Sequence, residues 1–139
     1  MENGTAATTA TDENFEAASL MASITVNDMA TSVAWYRDAL GFEVGQQFER
    51  DGKVAATRIN AGAVRILLNQ EDGAKGTDRK KGQGISLSFS TLQNIDAIAD
   101  RARAHGATLG SEPTDMPWGA RMFRLNDPDG FMLVISSVW

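Results

Sequence analysis

The 139-residue chain contains no cysteine, so disulfides, thiolate metal centres and thiol nucleophiles are excluded together. It has one histidine, His105, and one tyrosine, Tyr36, which leaves little imidazole or phenol for metal binding or acid–base work. No apolar run approaches the ~20 residues that would span a bilayer, so no membrane is expected as a partner. Positive charge is the scarcer sign: 13 Lys and Arg stand against 18 Asp and Glu, a formal net charge of −5 that argues against a nucleic-acid partner. The stretch Met1–Ala10 is Thr/Ala-rich and lacks the basic and apolar regions of a signal peptide. A cytoplasmic protein is the expectation.

What is present is a globular balance, 42% hydrophobic and 22% charged, on a length that suits one domain or two very small ones sharing a core. The acidity is concentrated at one end. Residues 1–20 hold Glu2, Asp12, Glu13 and Glu16 and no base, so the body that follows carries only −1 of the net −5. These twenty residues read as a weakly ordered extension with a helical turn around Phe15–Leu20. Met21–Val26 then reads as a strand and Asp28 as a helix N-cap. Met29, Val33, Tyr36 and Leu40 share one helical face, and Gly41 closes the helix.

The second half repeats this order. Ile85–Ser90 reads as a strand, and Asn94 caps a helix with Ile95, Ile98, Ala99 and Ala102 on one face that ends at Gly106. Gly106 lies 65 residues beyond Gly41, Gly110 lies 65 beyond Gly45, and Ser88 lies 65 beyond Ser23. Arg124-Leu125-Asn126 echoes Arg58-Ile59-Asn60 at 66, and setting Gly130 against Gly62 pairs the last strands at 68. Asp127-Pro128-Asp129-Gly130 is a strong hairpin signal between apolar runs. Each copy reads as strand, helix and three strands, a βαβββ module. The modules span 21–72 and 85–139, with a Gly/Lys-rich linker at 73–84 that is either a flap, an anion-attracting loop or a solvated connection.

The segments Ile24–Asp28, Ser32-Val-Ala-Trp-Tyr36 and Leu40-Gly-Phe42, with Pro117–Arg121 and Asn126–Gly130 in the second copy, resemble the vicinal oxygen chelate superfamily. That superfamily includes glyoxalase I, extradiol dioxygenases, fosfomycin-modifying enzymes and bleomycin-resistance proteins. The resemblance covers about residues 20–137. It implies an α+β fold in which two βαβββ modules form an incomplete barrel with a central cleft. It also implies a homodimer and, in the enzymes, a divalent metal held by residues on the first and last strands of each module. Carried onto this chain, those positions are Met21, Ile66, Ser86 and Val134. A cation there needs imidazole, carboxylate or amide oxygen, and neither these four nor their immediate neighbours in sequence supply it. His105, at the end of the second helix, reads as a surface residue.

An apolar cleft without metal or other cofactor points to small-molecule binding, with the bleomycin-resistance proteins as the nearest functional group. Trp118, Phe48, Phe123, Arg58 and Arg121 are the candidate walls and anchors, together with the four former metal positions. Trp118, between Pro117 and Gly119, is either a stacking wall or a cap over the barrel end. Arg121 either orients an anionic group or pairs with Asp115 or Glu112. The competing class is a lyase, isomerase or dioxygenase of the same superfamily, with or without metal. For metal-free chemistry Glu49 and Asp115 are the available acids, neither has an evident partner, and no catalytic residue is assigned.

Overall fold

The computed structural model describes residues 14–76 and 80–138. The chain runs β1 (Ala22–Val26), α1 (Met29–Leu40), β2 (Glu43–Arg50), β3 (Lys53–Ala61) and β4 (Val64–Gln70). It then repeats the pattern as β5 (Ser86–Thr91), α2 (Ile95–Ala104), β6 (Leu109–Asp115), β7 (Arg121–Asn126) and β8 (Met132–Ser137). The strands make two four-stranded sheets, ordered β1-β4-β3-β2 and β5-β8-β7-β6. The first strand of each module lies parallel to the last, and the other pairs are antiparallel. The fold is therefore α+β with two βαβββ modules, and the sheets are not closed into a barrel.

Both helices end where the glycines require. Gly41 takes a left-handed φ of 80°, and the amides of Gly41 and Phe42 return to the carbonyls of Arg37 and Tyr36. Asn94 caps α2, its Oδ1 accepting from the Ala97 amide at 2.9 Å. Asp28 is the N-cap of α1, as expected, but its carboxylate takes the Thr31 hydroxyl, and Gln70 Oε1 accepts from the Met29 amide at 2.8 Å instead. The end of β4 therefore caps α1. No helical turn forms in residues 14–20, where Phe15 and Leu20 lie exposed with no surface to cover an apolar face. Residues 1–13 of the expected extension lie outside the described residues.

One face of each sheet packs on its own helix, and the two helices touch each other. Ile24, Val26, Ile59, Ile66 and Leu68 from the first sheet share a core with Phe123, Leu125, Leu133 and Ile135 from the second. Tyr36 sits fully buried at the joint. Its ring stands edge-on to Trp35 and Phe42, and Phe42 meets Phe89 of the second module the same way.

Polar contacts then lock the modules. Asp127 Oδ2 accepts from the Tyr36 hydroxyl at 2.7 Å, while its Oδ1 accepts from the amides of Asp129 and Phe131 at 2.9 Å each. Asp129 accepts from the Asn27 amide at 2.9 Å. Lys81 and Glu71, both buried, pair at 3.0 Å across the linker, so this lysine serves the interior. Gly82 crosses the β7–β8 hairpin so closely that an added Cβ would lie 2.8 Å from the Gly130 carbonyl oxygen.

The strand register corrects one step of the repeat. Asn60 pairs with Arg65, and Asn126 with Met132. Four residues separate the first pair and five the second, so the last strands correspond at 67, and the turn glycines are not equivalent.

Candidate functional site

Each sheet has a second face that no helix covers. Strand alternation decides which residues reach it. In the first module the row Ser23–Leu67–Arg58 crosses the open face of β1, β4 and β3, with Arg65 and Asn60 beside it. Met21, one residue before β1 and 48% exposed, continues the same alternation. Phe48 of β2 pairs with Ala56 at the edge and is 44% exposed. In the second module Ser86, Ser88, Val134 and Arg124 share the open face with Met122 and Met132.

The expected site residues therefore divide. Met21, Ser86, Arg58 and Phe48 fall on the open faces, and Val134 has the same strand parity but is buried at 7% exposure. Ile66 does not: it pairs with Ala22 and Ile59 on the helix side and is fully buried, while its neighbour Leu67 faces out. Counting from Gly62 carried the one-residue register error straight to the wrong face. Phe123 is also fully buried in the core, opposite Ile135. Arg121 sits on the helix side, held by both oxygens of Asp96 at 2.9 and 3.0 Å and by Asp115 at 3.0 Å. Those contacts raise its pKa and hold Asp96 below the usual carboxylate range. Trp118, at the tip of the β6–β7 turn, is 66% exposed.

The enzymes of the resembled superfamily need metal donors on these faces. Met21, Leu67, Ser86 and Val134 offer a soft thioether, two alkyl groups and a hydroxyl, which do not fit a divalent cation. Among the described residues no cluster of three or more His, Cys, Asp or Glu is placed to hold one.

Charge is sorted between the two sides of the sheets. On the helix side, Arg37 pairs with Asp38, Arg103 with Asp100 and Glu112, and Arg101 donates to the carbonyls of Arg37 and Asp38. On the open side, Arg58, Arg65 and Arg124 make no side-chain ion pair or hydrogen bond among the described residues. Arg58 is half-buried, its Nε is sealed from solvent without a partner, and Asn60 Oδ1 beside it is in the same state. Gly45 in the β2 bulge makes the room: a Cβ there would lie 2.9 Å from both Asn60 Nδ2 and the Arg58 carbonyl oxygen.

Sequence reasoning missed a concavity between the modules. A half-open groove of about 980 Å³ runs between the modules, its apolar lining including Phe42, Val64, Phe89, Leu92, Ile135 and Val138 beside polar residues such as Thr91, Gln93 and Arg101. Leu92, 90% exposed between β5 and the α2 cap, was its one visible signal: an apolar residue in an otherwise polar connection. Asn60 was missed too, although it stands two residues from Arg58 and so shares its face.

Residues 17–135 match the family described as the Glyoxalase/Bleomycin resistance protein/Dioxygenase superfamily. The chain is 28% identical over 118 residues to Uncharacterized protein YraH of Bacillus subtilis (strain 168), covering 79% of this chain and 90% of that one. Its fold is similar to that of TioX from Micromonospora sp. ML1, with a TM-score of 0.72, 16% identity, and coverage of 87% of this chain and 98% of TioX. A superfamily member from Sphaerobacter thermophilus DSM 20745 superposes with a TM-score of 0.70 at 25% identity, covering 88% of this chain and 98% of that one. A family match spanning most of the chain, on two βαβββ modules, makes this protein a member of the glyoxalase/bleomycin resistance protein/dioxygenase superfamily.

Proposed function

We propose that this protein binds a small molecule without a metal or other cofactor, holding an apolar or aromatic ligand against the open faces of its sheets. The observation that carries the reading is the chemistry of the former metal positions: Met21, Leu67, Ser86 and Val134 line a surface suited to apolar contact and poor in cation donors. Phe48 and Trp118 supply exposed rings to stack on a planar ligand, and Arg58 supplies an anchor.

The working unit of this proposal is a homodimer in the cytoplasm. Its support is the exposure of the edge strand β2: Phe48 lies open on the uncovered face, where a second copy would cover it to complete a cleft. No described helix is long and apolar enough to cross a membrane.

Metal analysis tests the central claim. Protein dialysed against Zn²⁺, Mn²⁺ or Fe²⁺ and then gel-filtered should retain far less than one ion per chain. Retention of one tightly held ion per chain overturns the metal-free reading. Sedimentation velocity should find a dimer at micromolar concentration, and a monomer throughout would remove the shared cleft.

A further inference from the structure

The structure assigns an anionic group to the ligand, seated on Arg58 and Asn60 on the open face of the first module. The inference rests on the ligand-binding reading above and specifies its chemistry. A guanidinium Nε–H sealed from water without an acceptor is a standing penalty in the free protein, and a native fold rarely keeps one without a use. The neighbouring Asn60 Oδ1, equally sealed, asks for a donor. A ligand that places a carboxylate or sulfonate oxygen on the Arg58 guanidinium and an N–H or O–H on the Asn60 amide, with both half-buried side chains turning to meet it, satisfies both groups at once.

Two further observations point the same way. The protein carries an excess of acid, yet Arg58, Arg65 and Arg124 on the open faces have no carboxylate partner among the described residues. The helix-side arginines Arg37, Arg103 and Arg121 are all paired with carboxylates, so acids are available in the fold and are spent elsewhere. Around the seat, Leu67, Met21 and Phe48 give the apolar surroundings in which a guanidinium–anion pair gains strength. The occupant is therefore an amphipathic molecule: an aromatic or aliphatic body with one anionic end and a hydrogen-bond donor close to it.

A pair of dyes separates the body from the charge. 8-Anilinonaphthalene-1-sulfonate and its uncharged parent N-phenyl-1-naphthylamine share a ring frame and an N–H, and differ in the sulfonate. Fluorescence titrations of the full chain should show the sulfonate dye bound more tightly at low salt than the neutral one. Arg58→Met should weaken the sulfonate dye by about 10–100-fold, the range expected for one charge-assisted contact, and leave the neutral dye within twofold. Arg58→Lys should restore only part of the loss. Arg50→Met, at the exposed end of β2, should change neither dye. Circular dichroism and sedimentation confirm that each variant keeps its fold and assembly.

Equal loss of both dyes in Arg58→Met, or equal loss of the sulfonate dye in Arg50→Met, overturns the anion seat. Loss of the dimer in Arg58→Met with both affinities intact also overturns it, making Arg58 an interface residue. If the neutral dye binds and the sulfonate brings no advantage, the anion assignment fails while the binding reading survives. If neither dye binds the unaltered protein, both fail together.

Discussion

Replacing Tyr36 by Phe removes one oxygen from the joint between the modules and leaves the ring contacts with Trp35 and Phe42 in place. No cavity forms, so the effect isolates the hydrogen bond. Tyr36 is fully buried, burial with the adjacent Asp127 carboxylate pushes its phenol pKa upward, and its hydroxyl donates to Asp127. Its loss strands a carboxylate oxygen of Asp127, itself 5% exposed. A buried acceptor of this kind, bonded while charged, corresponds to about 2–3 kcal/mol. For a folded body of this size that is on the order of 8–12 °C in Tm.

The pH dependence sharpens the test. Burial raises the Asp127 pKa, while the Tyr36 hydroxyl and the amides of Phe131 and Asp129 pull it back down. In Tyr36→Phe one of the opposing bonds is gone, and the pKa climbs further. A carboxyl whose folded pKa exceeds its unfolded value contributes stability that is full below the unfolded pKa and is lost as pH rises through the folded one. The variant loses more on that rise, so its deficit should be widest at neutral pH and should narrow on acidification. Urea denaturation followed by circular dichroism from pH 4 to 7.5 measures this. In an Asp127→Asn background the deficit should be flat with pH. A deficit below about 0.5 kcal/mol at pH 7, or one that widens on acidification, refutes the reasoning about this bond.

Gly82→Ala should destabilise the fold by more than about 1 kcal/mol, because it combines a left-handed φ of 79° with a 2.8 Å clash against the Gly130 carbonyl. Gly52→Ala, also left-handed but facing open space, should show the backbone effect alone, and comparing the two denaturation midpoints separates the terms. Trp118→Ala should remove most of the fluorescence response to a bulky planar aromatic compound. Leu92→Ser, in the inter-module groove, should leave that response intact, and the reverse pattern would place the ligand in the groove and away from Trp118. Arg121→Gln should leave ligand affinity unchanged and lower Tm slightly, the more so at low salt, since both its partners are exposed carboxylates on the helix side.

Much of the fold could be read from the residues because its signals are local and occur twice. Asn94, Gly41 and Gly106 mark helix ends through backbone chemistry that needs no tertiary partner, and the repeat near 65 residues checks each element against its copy. The failures lie where a partner distant in sequence decides. Asp28 stands at the N-cap as read, but the side chain that accepts from the first turn is that of Gln70, 41 residues beyond Met29. The linker at 73–84 stays open between a flap, an anion-attracting loop and a solvated connection in the sequence, because nothing nearby announces the buried pairing of Lys81 with Glu71.

The site was less legible for a geometric reason. Face assignment on a strand has a period of two, so an alignment tolerance that hardly matters for finding a strand inverts the answer for each side chain on it. Ile66 shows the consequence, since a single residue in the turn exchanged it with Leu67. Arg58 and Arg121 show a second limit. Both are strand arginines near apolar residues, and sequence offers no way to rank them. The fold separates them: Arg121 meets Asp96 from α2, 25 positions away, and Arg58 has no side-chain partner among the described residues. A charge without a partner cannot be recognised until every possible partner has been placed. For that reason the most specific statement about the ligand comes from an unmet hydrogen bond in the folded chain.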